Sequence, residues 1–129
     1  MHAVLTTCSA EKRRDARMLP AVQRYTHPRI AEARAKATAA REPLLILSGV
    51  FGLLDAWTPI PWYDHALRDA EVAALVPRVS GRLRSRQITA LDLWMSPPGT
   101  PGWAPSHAVV QRAAAEAGVA LRPRWVAPR

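Results

Sequence analysis

The sequence is poor in cysteine and lysine. Its 129 residues include one cysteine, Cys8, so no disulfide forms within the chain and nothing calls for an oxidising compartment. Lysine and arginine together number 18, and only Lys12 and Lys36 are lysines, which leaves 16 arginines. Arginine, alanine and proline all have GC-rich codons, so this bias is typical of genomic composition. Lys12 is conspicuous because it departs from that bias.

Long apolar runs are also missing. The longest, Leu44–Leu47 and Ala117–Leu121, are far too short to cross a bilayer. The chain does not begin with a basic segment followed by an apolar stretch, so we expect no export, no membrane association and a cytoplasmic location. With 49% hydrophobic and 22% charged residues, the composition is that of a folded protein, and the length predicts a single domain over residues 1–129.

The net charge of +8 is the strongest compositional signal. A positive surplus of this size ordinarily indicates a polyanionic partner such as nucleic acid. Because the arginine bias accounts for part of the surplus, the charge alone does not separate a nucleic-acid partner from compositional drift. No protein partner is indicated by the charge.

Short apolar segments alternate with helical patterns along the chain. The predicted strands are Ala3–Thr7, Leu44–Leu47, Thr89–Trp94 and roughly Ala120–Val126. Two of the predicted helices run from Pro28 to about Arg41 and from Pro105 or Ser106 to Ala117. A third covers Leu67–Arg86 with a kink or restart at Pro77, and a short fourth helix follows Gly52. This order favours an α/β fold: a single three-layer domain with a mostly parallel four-stranded sheet and helices on both faces. Pro123 confines the last strand to an edge or a terminal position.

Polar residues follow the first predicted strand, where ligands bind in sheets of this kind. Cys8 and Ser9 come directly after the strand, and Lys12 follows three residues later. An ammonium group beside a thiol favours the reactive thiolate, and hydroxyls hold phosphates or sugars. In the alternative interpretation Cys8 is a small buried apolar side chain and Lys12 a solvated charge.

A second group precedes the helix at Pro28. Tyr25 has an aromatic face on which a base could stack, and Thr26 or His27 could cap the helix while its free N–H groups receive an anion. The alternative is a capping turn on the protein surface with no ligand.

A third group follows the second strand. Gly49 and Gly52, after Ser48, allow the backbone to turn tightly and to approach a ligand. The run Trp62-Tyr63-Asp64-His65 then adds aromatic faces, a carboxylate and an imidazole. No second cluster of ligands has matching spacing, so the sequence predicts no metal site, and no motif predicts a cofactor.

Two surface features suggest partners of other kinds. Arg78, Arg82 and Arg86 are four residues apart and share one helix face, which either is solvated or contacts a nucleic-acid backbone. The loop tryptophans Trp57, Trp62 and Trp103 are candidates for a protein-binding patch.

Taken together, these segments resemble the YaaA-like group of small bacterial and phage proteins. The resemblance covers about half of the chain and lies in Cys8-Ser9-x-x-Lys12, Tyr25 before a helix, the run from Leu45 to Leu54, and Pro61-x-Tyr63-Asp64. Phe51 stands where the pattern of the group has tyrosine. The resemblance implies a stress-response protein that binds DNA.

A more distant similarity is to the lysine-transferring domain of archaeosine synthase. Its Cys-x-x-x-Lys signature corresponds to Cys8 and Lys12, and its later tyrosine and histidine correspond loosely to Tyr25 and His27. The Lys-Pro-Tyr block of that domain is absent. The similarity implies chemistry on modified guanine or nucleic acid.

The resemblance implies that the singled-out residues surround one pocket for a phosphate-bearing nucleotide or nucleic acid. In this hypothesis Lys12 contacts the phosphate, backbone N–H groups of residues 48–52 add donors, and Tyr25 or Tyr63 stacks on a base. Asp64 is the general base, or stabilises a sugar cation, in action on a nucleobase or an N-glycosidic bond, and Cys8 is the alternative nucleophile. The competing hypothesis is a non-catalytic DNA-binding module that uses the arginine face.

Overall fold

The computed structural model describes residues 1–126, which form a five-stranded sheet with helices packed against it. The strands of this sheet are β1 (His2–Thr7), β3 (Leu44–Ser48), β4 (Gly52–Asp55), β6 (Ala90–Met95) and β7 (Ala120–Trp125), in the spatial order β4-β3-β1-β6-β7. All neighbouring pairs are parallel except β3 and β4, which are antiparallel. Two further strands, β2 (Leu19–Pro20) and β5 (Pro59–Ile60), form a separate antiparallel pair.

The helices are α1 (Ala21–Arg24), α2 (Pro28–Ala40), α3 (Val72–Ser85) and α4 (Ala104–Ala117), and a single 3₁₀ turn, Asp69–Glu71, precedes α3. Alternate residues of β1 belong to different parts of the core. Ala3 and Leu5 lie in a cluster with the apolar residues of α3 and α4, whereas Val4 lies in a cluster with those of α2. Because the central strands are buried in this way, β3 is apolar at all but its last residue, and β1 is apolar over Ala3–Leu5 and ends on the buried Thr6 and Thr7.

The predicted α/β class and mostly parallel sheet are confirmed. All four predicted strands lie in one sheet, where Val4 pairs with Leu44 and Thr6 pairs with Ile46. Pro123 lies in β7 at the edge of the sheet, as expected.

The sheet has five strands where four were expected, and the segment after Gly52 is strand β4 instead of the predicted short helix. A tight turn explains the difference. Gly52 has a φ of 77°, a conformation that favours glycine, and it pairs with Ser48 to close a hairpin. Leu53 and Leu54 are then buried against the two core clusters on a strand.

The helix boundaries follow local chemistry. His27 caps α2 by accepting a hydrogen bond on Nδ1 from the Arg29 N–H at 3.1 Å, and Pro28 occupies the first helical position. Gly118 ends α4 in the left-handed conformation, as predicted. The helix expected from Leu67 begins at Val72 and then continues to Ser85 with Pro77 inside it.

One buried arginine organises the long segment between β1 and α2. Arg24 is fully buried, and its guanidinium donates to the carbonyl oxygens of Arg13, Asp15 and Arg17 and, at 3.2 Å, to that of Ile60. These bonds join the loop after β1 to strand β5. None of the helices within residues 1–126 has the length and apolar character that a membrane-spanning helix needs.

Candidate functional site

A cavity of about 320 Å³ lies at the carboxyl ends of β1 and β6. Four separate parts of the chain form most of its walls: the loop after β1, the start of α2, the segment after β5, and the stretch from the loop after β6 into α4. Val126, after β7, completes them. Its polar and reactive lining residues are Thr7, Cys8, Ser9, Glu11, Lys12, His27, Arg29, Asp64, His65, Ser96 and Ser106. We call it the strand-end cavity.

The loop after β1 brings three of the predicted site residues to this cavity. The half-buried Cys8 donates its backbone N–H to the Leu47 carbonyl at 2.8 Å, so its main chain continues the pairing of β1 with β3. Ser9 is buried, and its hydroxyl donates to the Glu11 carbonyl at 2.7 Å. The Lys12 ammonium lies 4.6 Å from the centre of the Tyr63 ring, in a cation–π contact.

A chain of hydroxyls lies beneath Lys12. The Tyr25 and Tyr63 hydroxyls are 2.6 Å apart, and the Tyr63 hydroxyl is 3.0 Å from Ser48 Oγ. Burial, with a smaller contribution from the neighbouring Cys8, raises the pKa of Tyr63 to about 12. Burial also raises the pKa of Tyr25 well above its ordinary value, with Tyr63 contributing. Both phenols are therefore neutral near pH 7.

Tyr25 and Ser48 support the site from below and do not line the cavity. Tyr25 is 2% exposed and Ser48 is fully buried. A base has no access to the Tyr25 ring, so the stacking role predicted for this residue does not fit the structure. Tyr63 is partly exposed, but Phe51 packs edge-on to its ring with centroids 5.3 Å apart, and Lys12 lies over the ring.

The two glycines of the predicted phosphate-binding turn serve packing and geometry. A Cβ placed on Gly49 would lie 3.0 Å from the Leu67 Cβ, so this glycine allows the close approach of Leu67. The Val50 and Phe51 N–H groups both donate to Ser48 Oγ, at 3.2 and 3.1 Å. These two N–H groups are therefore already hydrogen-bonded and are not free donors for the predicted phosphate, and with β4 in place of a helix there is no helix N-terminus beside Gly52.

The segment after β5 contributes Asp64 and His65. Asp64 is exposed, lines the cavity, and forms no ion pair or hydrogen bond with the residues that the structure describes. His65 also lines the cavity, and its Nε2 lies 2.8 and 2.9 Å from the two carboxylate oxygens of Glu71. The sequence places this imidazole beside Asp64, but His65 is not among the predicted site residues.

Arg29 is a second residue that the sequence analysis missed. It is 5% exposed, and its Nη1 donates to Thr6 Oγ1 at 2.8 Å and to the Thr7 carbonyl at 2.7 Å. The guanidinium also lies 4.9 Å from the centre of the Trp103 ring. A sequence signal did exist: a cation in the first turn of a helix opposes the helix dipole, and a specific partner is then expected.

The arginine face predicted for nucleic acid instead contacts the sheet. Arg82 and Arg86 both form ion pairs with Asp55 of β4, the former at 3.2 Å. Arg78 donates to the Val50 carbonyl at 3.3 Å. These three side chains therefore hold α3 against β4 and the turn that precedes it.

The remaining surface features lie mostly outside this cavity, although the larger groove shares His27 with it. A larger groove of about 890 Å³ runs between residues 13–19 and α2, and its lining does not include Cys8, Lys12 or Asp64. Trp57 and Trp62 are 55% and 40% exposed, with the guanidinium groups of Arg34 and Arg14 over their rings. Trp103 packs at the strand-end cavity, so the predicted tryptophan patch loses this member.

Comparison of the chain with protein-family models, with curated proteins and with solved structures finds no match. Within residues 1–126, no group of three or more His, Cys, Asp or Glu side chains is arranged to hold a metal ion. The functional argument therefore rests on the geometry of the strand-end cavity.

Proposed function

We propose that this chain is a YaaA-like, nucleotide-directed protein that binds a small phosphate-bearing ligand in the strand-end cavity. The observation that carries the proposal is the position of Lys12 and Arg29, two cations at one concave site at the carboxyl ends of parallel strands. Ligands of open α/β sheets bind in this location. A cavity of about 320 Å³ is at the lower end of the range for small-molecule sites.

The two cations contribute in different ways. Lys12 contacts the Tyr63 and Tyr25 rings and forms no hydrogen bond with the described part of the chain, so its ammonium donors are free for phosphate oxygens. Arg29 is occupied with Thr6 and with the main chain of β1, so it contributes positive charge beneath the ligand. The tyrosines below Lys12 are neutral and add no negative charge there.

The enzymatic form of the proposal assigns chemistry to Asp64 and Cys8. Asp64 acts as the general base, or stabilises a sugar cation, in action on a nucleobase or an N-glycosidic bond. Cys8 is the alternative nucleophile. The support is that both residues line the cavity that contains Lys12.

The alternative of a DNA-binding module acting through Arg78, Arg82 and Arg86 has less support. Two of these arginines are ion-paired with Asp55, and a phosphate would have to displace that carboxylate. We therefore favour a small ligand at the strand ends over a polymer on α3.

Substitution of Lys12 tests the proposal. We expect Lys12→Ala to weaken binding of a nucleotide such as AMP by about 1–3 kcal/mol, because one charged hydrogen bond is lost. Isothermal titration calorimetry measures this difference. Lys36→Ala is the matched control, since Lys36 is exposed on α2 and does not line the cavity. Equal affinities for the parent and Lys12→Ala would remove Lys12 from the site.

A further inference from the structure

His65 and Glu71 form an ordered pair at the wall of the strand-end cavity. Nε2 of His65 lies within 2.9 Å of both carboxylate oxygens of Glu71. The carboxylate is itself fixed, because Glu71 Oε1 accepts the Arg68 N–H at 2.9 Å and lies 3.5 Å from Arg68 Nε. The side chains of His65 and Glu71 are 29% and 31% exposed, so neither extends freely into solvent.

This pairing determines which nitrogen of the ring is available to a ligand. A carboxylate accepts hydrogen bonds, so in the neutral ring Nε2 carries the proton and donates it to Glu71. Nδ1 is then an acceptor, and it has no hydrogen bond to the residues that the structure describes. A hydroxyl group is the ligand group that such an acceptor recognises.

We propose that His65 contacts the ligand in the strand-end cavity and accepts a hydrogen bond from a ligand hydroxyl, while Glu71 positions its ring. This inference rests on the proposed function and narrows it: the ligand carries both a phosphate and a sugar hydroxyl, as phosphorylated sugars and ribonucleotides do. Lys12 contacts the phosphate, and His65 contacts the hydroxyl.

Both signs of charge line the cavity. Lys12 and Arg29 face it from the loop after β1 and from α2, and His27 faces it from the start of α2. Glu11, next to Lys12, and Asp64, next to His65, are its lining carboxylates, and Glu71 is paired with His65. Near His65 a phosphate is repelled by Asp64 and Glu71, whereas a hydroxyl donates to carboxylates and to Nδ1 alike. The His65 side of the cavity therefore suits an uncharged donor.

Two probes separate this inference from the proposed function. Titration calorimetry with inorganic phosphate and with ribose 5-phosphate compares a ligand without sugar hydroxyls and one with them. We expect His65→Ala to weaken ribose 5-phosphate binding about three- to tenfold, the effect of one lost hydrogen bond, and to leave phosphate binding unchanged.

Two further variants and a control complete the comparison. Glu71→Gln should also weaken ribose 5-phosphate binding, whereas Lys12→Ala should weaken the binding of both ligands. His2→Ala is the matched control, because His2 lies at the opposite end of β1.

A measurement on the parent protein tests the inference without any variant, so a folding defect in a variant does not affect it. In nitrogen-15 spectra, ribose 5-phosphate should shift the His65 Nδ1 resonance and leave that of His2 in place, and inorganic phosphate should shift neither. If the parent binds neither probe, the proposed function and this inference both fail. If it binds both probes, and His65→Ala has no selective effect or the His65 resonance does not respond, the inference alone is overturned.

Discussion

The chain has two tyrosines, Tyr25 and Tyr63, and both belong to the hydroxyl network under Lys12. Their pKa values are raised mainly because burial disfavours the phenolate. When folding raises the pKa of a phenol, the neutral phenol favours the folded state. This contribution to the free energy of unfolding is fully present below the pKa of the phenol in the unfolded chain, about 10. That contribution is lost as the pH rises above 10 and through the folded value of about 12 for Tyr63.

This linkage gives a prediction at the level of single residues. Between pH 10 and 11 the folded protein should show almost no tyrosinate absorbance near 295 nm, and stability should fall as the pH rises. Tyrosinate should then appear together with the loss of far-ultraviolet circular dichroism, since unfolding releases both phenols. Gradual titration near pH 10 without unfolding would contradict the buried network.

Sequence reasoning identified some residues of the cavity and missed others for a physical reason. Cys8 and Lys12 were predicted because parallel strands place the residues that follow them at one edge of the sheet, whereas Asp64 was predicted from its own segment and the family resemblance. Arg29 was missed because its cation in the first turn of α2 is a weak signal in an arginine-rich sequence. His65 was noted beside Asp64 but not assigned to the site, because its partner Glu71 is set by a 3₁₀ turn that no periodicity reveals.

At the scale of elements, helix α3 and strand β4 are held together by Asp55 with Arg82 and Arg86. The Asp55 side chain is 33% exposed and that of Arg86 is 31% exposed, so this contact is partly shielded from water. Partial shielding makes an ion pair somewhat stronger than the usual surface pair. The contact also joins the one antiparallel strand of the sheet to the rest of the core.

We expect Arg86→Ala to lower the free energy of unfolding by about 1 kcal/mol, measured by urea denaturation. The exposed Arg112 of α4 has no ion pair with the described residues, and Arg112→Ala is the control, with a change within about 0.5 kcal/mol. If Arg86 contacted nucleic acid instead, its substitution would reduce the slope of log affinity against log salt by about one and leave stability unchanged.

The order of helices and strands was largely predictable from the sequence. The exception is the segment after Gly52, which was predicted as a helix and is strand β4. Apolar runs such as Leu44–Leu47 identified strands because buried parallel strands are apolar on both faces. The segment Gly52–Asp55 is too short for a strand period to be distinguished from a helix period. Its conformation depends on the turn at Gly52 and on Ser48 Oγ, a tertiary arrangement that the pattern does not contain.

At the scale of the whole molecule, the strand-end cavity depends on four distant parts of the chain, and Cys8 reports on it. Because Cys8 is the only cysteine, an alkylating agent labels one known position. We expect a saturating phosphorylated ligand to slow the reaction of Cys8 with iodoacetamide several-fold, since both occupy the same cavity. Mass spectrometry of timed samples measures the rate. Protection that persists in Lys12→Ala at equal ligand concentration would contradict a shared site.

The edge strand β7 has a consequence for the behaviour of the protein at high concentration. β7 has β6 as its only neighbour among the described strands, so its other side presents backbone groups to which a second chain could add. Pro123 removes one donor from this strand, and the arginines on either side of it, Arg122 and Arg124, lie 3.1 and 4.0 Å from the Asp92 carboxylate of β6. A copy approaching edge to edge meets the missing donor at Pro123. The molecule therefore carries its own protection against amyloid-like growth through this strand.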